Sequence, residues 1–463
     1  MRSMWIAVAL AAAVGCTSPG APPEPESESE AETGATAERG PRYLSIGADA
    51  LDAARAVAAR RGAPLDVIES DGDVAVIELP AQDLGALAAE IHARHDRCGG
   101  FELHDSLADA HAALLHAHDA ARPGPDYTID RPAEVRAVLP QLDAARIAAT
   151  IAELSAMKNR YYRSDSGAAA ATWLRDRWRS FSTRRRVTVE LVDTGYPQKS
   201  VVMTIPGTTR ASEVIVIGGH LDSIAIGGTS STAPGADDDA SGIATLTEVA
   251  RVLLAGDYRP ARTIQLMAYA AEEVGLRGSL QIARDYKQRG INVVGALQLD
   301  MTNFHGSDKD IWLMKDFTSA PQNAFLGRLI DTYVGATWGY DACGYACSDH
   351  AAWHRIGVPA SMPFEARFAQ ANRLIHTNKD TLETSGANAA HAVKFARLAA
   401  AYAIELGKGE LPAPPTPPAE LHTAAGDPAP APADSTNRRA AATAAVLMLI
   451  ASTWALRSAI ART

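Results

Sequence analysis

The sequence predicts an α/β protein with a mixed, mostly parallel central sheet and helices on both faces, preceded by a small α+β ferredoxin-like domain. Two observations predict this fold class: short apolar runs alternate with helical stretches along most of the chain, and the first of them follow the order βαββαβ. The 463 residues, 47% of them hydrophobic, can bury a large core. The formal charge of −10, without any basic stripe, argues against nucleic-acid binding and favours basic partners or cations.

The first 16 residues, MRSMWIAVALAAAVGC, have the layout of an export signal, with a basic start, an apolar run and small residues before a cysteine. They also resemble a bacterial lipoprotein box in which Cys16 is lipidated; the alternative is an ordinary cleaved signal. Residues 17–41 are rich in Pro, Glu, Ser, Ala and Thr, which predicts a disordered linker. We therefore expect an exported protein, held in the cell envelope or secreted after processing.

Residues 42–120 form the predicted α+β domain. Its helical stretches are 48–61 and 81–95, and its strand-like runs are YLSIG, LDVIES, VAVIEL and GFELH. The Pro/Gly-containing segment ARPGPDY, residues 121–127, then marks a domain boundary.

The larger domain covers residues 126–408. Its expected strands are RVTVELV, SVVMTI, EVIVIGG, TIQLMAYA, NVVGALQLD, DIWLM and VPASMPF. Its expected helices lie near 141–157, 166–180, 241–255, 276–289, 321–334 and 386–406. Buried strands that alternate with helices predict a sheet covered on both faces, and the first strands look antiparallel, which makes the sheet mixed.

The chain after this domain has two parts. Residues 409–438 are a Pro/Ala-rich linker that we expect to be extended. Residues 440–456 are apolar and flanked by arginines, so they are predicted to be a membrane anchor or a removable sorting tail, with a buried core helix as the alternative. Membrane attachment at one or both ends is therefore expected.

Three strand-like runs of the larger domain end in acidic residues or a histidine. EVIVIGG leads into His220 and Asp222, TIQLMAYA into Glu272 and Glu273, and NVVGALQL into Asp300. Ligands of open α/β sheets bind beyond the carboxyl ends of the strands, so these groups are expected at one rim. Carboxylates gathered there need a cation, and a histidine among them suits zinc better than magnesium or calcium.

The stretch GADDDASG, residues 235–242, adds three adjacent aspartates. Because neighbouring like charges repel, a positive charge is expected beside them. We interpret the central residue, Asp238, as a metal ligand.

Six blocks of the sequence resemble, in the same order, those of the secreted bacterial di-zinc leucyl aminopeptidases, which have the zinc exopeptidase fold. The blocks are GGHLDS (218–223), APGADDDASG (233–242), AYAAEEVGLRGS (268–279), LQLDMTN (297–303), CGYACSDHAAWH (343–354) and RLIHTNKDT (373–381). The resemblance covers residues 126–408. Residues 42–118, with RCGGFELHDSL, also resemble that family's amino-terminal propeptide.

The resemblance implies two zinc ions bridged by Asp238. His220 and Asp300 would complete the ligands of one ion, and Glu273 and His376 those of the other. Two Zn²⁺ ions, three ligand carboxylates and a bridging hydroxide would together be neutral, which suits a cleft of low dielectric constant.

Two further features concern the backbone and orientation of these ligands. Asp222, two residues after His220, is expected to accept the other imidazole N–H and so to fix the ring. The resemblance also implies a cis peptide bond between Asp238 and Asp239. The side chains of Asp237 and Asp239 are expected to orient or cap neighbouring backbone groups.

Glu272 is the expected general acid/base: a metal-bridging hydroxide would attack the peptide carbonyl, and Glu272 would carry the proton to the leaving amine. The phenol of Tyr345 would hydrogen-bond the oxyanion. The resemblance also implies an apolar recess for a Leu-like side chain, lined by Met301, Tyr345, Met362, Phe364, Phe368 and Ile375. Ala371 stands where a bulkier residue is expected, so larger side chains are also expected to fit.

The cysteines and the other histidines are expected to be structural. Cys343 and Cys347 are predicted to form a disulfide, because an exported chain meets an oxidising compartment, and Cys98 has no obvious partner. The histidines expected to be structural are His92, His95, His104, His350 and His354.

The sequence therefore predicts a monomeric zinc aminopeptidase that acts on peptides with a free amino terminus and is made as a precursor, with residues 42–118 over the cleft. One alternative is a carboxypeptidase or glutaminyl cyclase on the same fold. A carboxypeptidase would hold the substrate carboxylate with Arg367 or Arg373. The other alternative is a non-catalytic, receptor-like module, which typically lacks some of the ligands present here.

Overall fold

The computed structural model describes residues 41–95, 97, 100–115, 122–181 and 186–412. The predictions for Cys16, Cys98, the signal peptide, most of both linkers and the apolar segment 440–456 fall outside these residues. Within the part of the chain that is described, no helix is long and apolar enough to cross a membrane.

The amino-terminal domain is a four-stranded antiparallel sheet with helices on both faces. Its elements are β1 (Pro41–Gly47), α1 (Leu51–Arg60), β2 (Asp66–Asp71), β3 (Val74–Pro80), α2 (Leu84–His95), β4 (Phe101–His104) and α3 (Leu107–Leu115). The strand order β2-β3-β1-β4, antiparallel throughout, is that of a ferredoxin-like domain. Helices α1 and α2 pack on one face, and α3, which the sequence did not predict, packs on the other.

The larger domain is built on a six-stranded mixed sheet. Its strands are β5 (Thr188–Val192), β6 (Ser200–Ile205), β7 (Arg210–His220), β8 (Arg262–Tyr269), β9 (Asn292–Gln298) and β12 (Ala360–Ser361). The order is β12-β9-β7-β8-β6-β5, parallel from β12 to β8 and antiparallel over β6 and β5. This arrangement confirms the predicted fold class.

Alternate residues of the central strand β7 point to opposite faces of the sheet. Ile215 and Ile217 join the apolar cluster on one side, and Val214 and Val216 join the cluster on the other. Because both faces are apolar, both must be covered, and the buried part of β7 accordingly contains the apolar run Val-Ile-Val-Ile.

Helices cover these two faces. They are α4 (Pro132–Val138), α5 (Ala144–Ser155), α6 (Asp165–Ser180), α7 (Ala240–Ala255), α8 (Arg277–Gln288), α9 (Ala320–Leu329), α10 (His350–Arg355) and α11 (Ala392–Gly407). Residues of α5, α6, α7 and α11 belong to the cluster with Ile215, whereas residues of α8 and α10 belong to the cluster with Val214. Helix α7 is almost entirely buried, so it forms the centre of the core.

Several local predictions differ from the structure, and the short helices α4 and α10 were not predicted. The run VPASMPF is not one strand: β12 joins the main sheet, while β13 (Pro363–Phe364) pairs with β10 (Ile311–Met314) in a three-stranded sheet. Pro363 cannot donate to a ladder, which explains the break. Strand β11 (Trp338–Asp341) in that small sheet was not predicted, and the helix expected over 321–334 ends in a π-helical turn, Ile330–Val334.

Candidate active site and metal centre

The predicted ligands meet at the carboxyl ends of the parallel strands. His220 is the last residue of β7, Glu273 follows β8, and Asp300 follows β9. Asp238 lies in the loop before α7, and His376 comes from a loop between β13 and α11. All five side chains are buried, and their exposed fractions do not exceed 6%. Topology therefore brings five distant segments to one rim.

The two carboxylate oxygens of Asp238 face two different histidines. Nε2 of His220 is 3.0 Å from Oδ1 of Asp238 and 3.5 Å from Oδ1 of Asp300. Nε2 of His376 is 3.2 Å from Oδ2 of Asp238 and 2.7 Å from Oε2 of Glu273. Asp238 thus lies between His220 and His376, and ligand atoms of His220, Asp238 and Glu273 also lie within 4.8 Å of one another.

The donor set fits zinc. Among the described residues, several atoms of this rim are buried without a hydrogen bond of acceptable geometry: Nε2 of His220 and of His376, Oδ1 of Asp300 and both carboxylate oxygens of Glu273. Lone pairs that converge in a buried space without hydrogen bonds need a common cation. Imidazole nitrogens with carboxylate oxygens are a ligand set typical of zinc.

The flanking aspartates of the triplet organise the backbone, as expected. Asp239 caps α7 by accepting from the N–H of Gly242 at 2.9 Å, and it also accepts from the N–H of His220 at 3.0 Å and that of Met301 at 3.1 Å. Asp237 accepts from the N–H of Asn303 at 3.2 Å. The peptide bond between Asp238 and Asp239 is cis, as the resemblance implied.

Asp222 supports the site differently from the prediction. Nδ1 of His220 is 3.1 Å from the backbone carbonyl oxygen of Asp222 and 3.6 Å from its carboxylate, so the carbonyl is the closer acceptor. The carboxylate accepts from the N–H groups of Glu272 and Glu273, at 3.0 and 3.2 Å. Asp222 therefore fixes the loop that carries the predicted base and a predicted ligand. The prediction used only the closeness of Asp222 to His220 in the sequence. In the fold, the carboxylate of Asp222 faces the loop after β8.

Glu272 lies beside the ligands and is 5% exposed. Burial raises the pKa of this carboxyl well above its ordinary value, His220 opposes the rise, and the carboxylates of Asp349, Glu273 and Asp300 reinforce it. A carboxyl in such surroundings holds a proton more readily than one in water, which suits a group that accepts and returns protons.

A layer of buried polar residues that the sequence reasoning did not identify lies behind the rim. The guanidinium of Arg160 donates to the carbonyl oxygens of Leu221, at 2.9 Å, and Gly235, at 2.8 Å. The carboxylate of Asp380 accepts from the N–H groups of Asp237 and Asp238, both at 3.1 Å. Asp380 stands inside the block RLIHTNKDT, four residues after His376. An acidic residue so close to a predicted ligand was the sequence feature that could have indicated its role.

All six predicted recess residues surround one cavity, together with Ala371 and the side chain of Asp300. The recess has an apolar wall beside the ligand rim and is narrowed on one side by the disulfide between Cys343 and Cys347, which forms as predicted. Little space remains, about 20 Å³, which is room for about one water.

Arg97, from the amino-terminal domain, fills the recess. Its guanidinium lies 3.9 Å from the centre of the Tyr345 ring, and its side chain is only 5% exposed. Gly100 passes so close to that ring that a Cβ atom would be 2.7 Å from it, and its positive φ also favours glycine. Arg97 and Gly100 therefore bring the amino-terminal domain into direct contact with the recess wall.

Two further contacts attach the amino-terminal domain to the rim. The N–H of Leu103 donates to the carbonyl oxygen of Gly275, which follows the Glu272 loop, at 3.3 Å. The ring of His92 lies 4.8 Å from that of His376. His92 was expected to be structural, and the structure places it against a predicted ligand. The other four histidines expected to be structural lie outside the rim, for example His104, which bonds Ser45 at 2.8 Å.

Comparison of the sequence with known proteins identifies its family. The sequence profile of peptidase family M28 matches residues 200–402. Leucine aminopeptidase 1 of Coccidioides posadasii is 35% identical over 294 residues, which are 60% of this chain and 75% of that protein. The chain belongs to peptidase family M28.

Two crystal structures from Legionella pneumophila are similar to this M28 peptidase over both of its domains. The LapA aminopeptidase is 29% identical with a TM-score of 0.69, covering 81% of this chain and 100% of its own. LapB is 29% identical with a TM-score of 0.68, covering 80% and 100%. This M28 peptidase is accordingly a zinc metallo-aminopeptidase, its rim holds a candidate cluster of metal ligands, and its substrates are peptides with a free amino terminus.

Proposed function

We propose that this M28 peptidase releases amino-terminal residues, leucine and other hydrophobic ones first, by hydrolysis that uses two zinc ions. The observation that carries the proposal is the placement of Asp238, whose two carboxylate oxygens face His220 and His376 separately. His220 and Asp300 would hold one ion with it, and Glu273 and His376 the other. When bound, zinc would lower the pKa of water and polarise the substrate carbonyl.

In this proposal Glu272 moves the proton. Its loop is held by the carboxylate of Asp222, so the side chain has a fixed place beside the ligands. Glu272 would take a proton from the attacking water and return it to the amine that leaves, which restores its charge in each cycle. Tyr345 and Asp300 line the same recess, where the phenol of Tyr345 would donate to the carbonyl oxygen as negative charge develops.

The recess would bind the side chain of the first residue. Its apolar lining matches a branched aliphatic chain, and Ala371 leaves it wider on one side. The carboxypeptidase alternative is less well supported, because Arg367 stacks on the ring of Trp312 at 3.9 Å and Arg373 donates to the carbonyl oxygen of Ala369 at 2.8 Å. Neither arginine lines the recess.

The chain would be made as an inactive precursor. The amino-terminal domain contacts the rim through His92 and the Glu272 loop through Leu103, and Arg97 takes up the recess. A peptide could not place its first side chain there while this domain remains. Cleavage between the two domains, with release of the first, would open the site. The composition of residues 1–16 supports export before this step.

The test compares leucine amide with N-acetyl-leucine amide after the amino-terminal domain has been cut away. We expect hydrolysis of the first only, and loss of that hydrolysis on chelation with recovery on addition of Zn²⁺. Equal cleavage of the acetylated compound would contradict an aminopeptidase. Hydrolysis that survives exhaustive chelation would contradict the zinc mechanism.

A further inference from the structure

A second group of metal-ligating side chains lies outside the catalytic rim. A ring nitrogen of His305, a carboxylate oxygen of Asp310 and a ring nitrogen of His391 lie within 4.8 Å of one another. His305 lies in the loop that begins at Asn303, Asp310 immediately precedes β10, and His391 is the N-cap residue of α11. None of the three is a predicted ligand of the catalytic zinc.

His391 has one ring nitrogen with no hydrogen bond among the described residues. Nε2 lies 3.1 Å from the carbonyl oxygen of Glu365 and must donate to it, because a carbonyl oxygen can only accept. The lone pair is then on Nδ1, which is buried without a hydrogen bond among the described residues, in a side chain that is 6% exposed. A histidine whose other N–H is held by a backbone carbonyl is the usual arrangement around a bound metal. Burial also lowers the pKa of His391 to about 4, so the ring is neutral and can coordinate.

Asp310 supplies the negative charge. Its Oδ2 accepts from the N–H and hydroxyl of Thr337 at 2.8 and 2.9 Å, which fixes the carboxylate. Its Oδ1 is 3.5 Å from Nε2 of His305 and also bonds the ammonium of Lys394. Lys394 stands one turn after His391 on α11, so in this arrangement a side-chain cation already pairs with the carboxylate.

We infer that His305, Asp310 and His391 bind a first-row transition-metal dication such as Zn²⁺, with the ammonium of Lys394 displaced from Asp310 when the metal enters. Two imidazoles and one carboxylate leave a fourth position for water, and they suit zinc, nickel, copper or cobalt better than calcium or magnesium. The amino end of α11 carries partial positive charge, so the affinity is expected to be lower than that of the catalytic rim.

The bound ion would connect two segments that support the rim. The loop that bears His305 begins at Asn303, whose N–H bonds Asp237, and His391 is tied to Glu365. Glu365 in turn accepts from the N–H of Phe304 at 2.6 Å. A metal at this place would therefore fix the start of α11 against the loop behind the catalytic aspartates, and it would stabilise the fold rather than take part in hydrolysis.

The experiment is equilibrium dialysis of the full chain against Zn²⁺, followed by metal analysis and a thermal melt. His305→Ala and Asp310→Asn should each bind one Zn²⁺ fewer than the wild-type chain, and their melting temperatures should no longer rise when Zn²⁺ is increased beyond the catalytic requirement. His305 is half exposed, so its removal should not prevent folding. Lys394→Met should tighten this last equivalent by about tenfold, which is about 1.4 kcal/mol.

The matched control is His111→Ala. His111 is also partly exposed and lies 3.3 Å from a carboxylate oxygen of Glu69. The His111→Ala variant should bind as much Zn²⁺ as the wild-type chain. Equal zinc content in the wild type, His305→Ala and Asp310→Asn would overturn the inference. Because the comparison is a difference between variants, it is independent of how many ions the catalytic rim holds.

Discussion

The catalytic rim and the segment that covers it place their side chains by different means. Four of the five predicted ligands stand at the end of a strand of the main sheet or just before α7, and His376 lies in a loop. Buried hydrogen bonds such as those of Asp222 and Asp239 hold the backbone around them. Arg97 instead comes from another domain and is held by a stacking contact with Tyr345 and an ion pair with Asp49 at 2.9 Å. Because Asp49 is largely exposed, that ion pair contributes little.

This difference bears on the proposal that the amino-terminal domain is a removable cover of a site built into the larger domain. The rim depends on the fold of the larger domain, so it should remain when the amino-terminal domain leaves. The cover depends on a few contacts across a domain boundary and can be weakened by single substitutions.

Glu272→Gln should give the largest effect. Loss of the proton carrier should lower turnover of leucine amide by about 10² to 10⁴ in the enzyme without its amino-terminal domain. The ligands are untouched, so zinc content measured by metal analysis should stay at the wild-type value. The control is Glu383→Gln, a change on an exposed 3₁₀ turn that should alter neither quantity. Turnover that stays within a few-fold of wild type would remove Glu272 from the mechanism.

Asp222→Asn should give an intermediate effect. The N–H groups of Glu272 and Glu273 bond different oxygens of Asp222, and an amide replaces one of these oxygens with an NH2 donor, so one of the two hydrogen bonds is lost. Residues that orient metal ligands typically change metal affinity or activity by about 10- to 100-fold when replaced. The measurement is a zinc titration with a competing chelator, alongside turnover. If affinity and turnover are both unchanged, the rim does not need this support.

Arg97→Ala should raise the activity of the intact chain. A desolvated cation–π contact is worth about 2 kcal/mol, so its loss should increase turnover by up to about 30-fold. The matched control is Arg94→Ala, an arginine of the same domain that pairs with Glu90 away from the recess. No gain for Arg97→Ala, or an equal gain for Arg94→Ala, would show that Arg97 does not close the recess.

Ala371→Phe should give the smallest effect. It tests which side chains fit the recess, which is lined by residues of the rim and by Arg97. A ring at this position would reduce the space that Ala371 leaves beside Phe368 and Ile375. Turnover of phenylalanine amide should then fall by about tenfold relative to leucine amide. An unchanged ratio of the two rates would place the first side chain elsewhere.

Much of the rim was predictable from sequence because several of its residues directly follow a strand in the sequence. A strand followed by an acid or a histidine is visible in the sequence, and the rule that parallel strands end at one edge then assembles His220, Glu273 and Asp300. The role of Asp222 was only partly predictable. Its neighbour in sequence is His220, yet its carboxylate bonds the Glu272 loop, which comes from a different strand.

Contacts between distant segments were not predictable. Arg160 lies more than 60 residues before the carbonyl groups that it bonds, and nothing in its sequence context marks it as buried. Arg97 and His92 belong to the amino-terminal domain, whose covering role the resemblance implied without naming a residue. Similarly, VPASMPF reads as one apolar strand, and only the packing of two separate sheets divides it at Pro363.

Anomalous diffraction at the zinc edge, on crystals of the enzyme freed of its amino-terminal domain, tests the central claim most directly. The account predicts two peaks that flank Asp238, one beside His220 and Asp300 and the other beside Glu273 and His376. A map without a peak at the rim, or with a single peak that leaves one histidine uncoordinated, would contradict it.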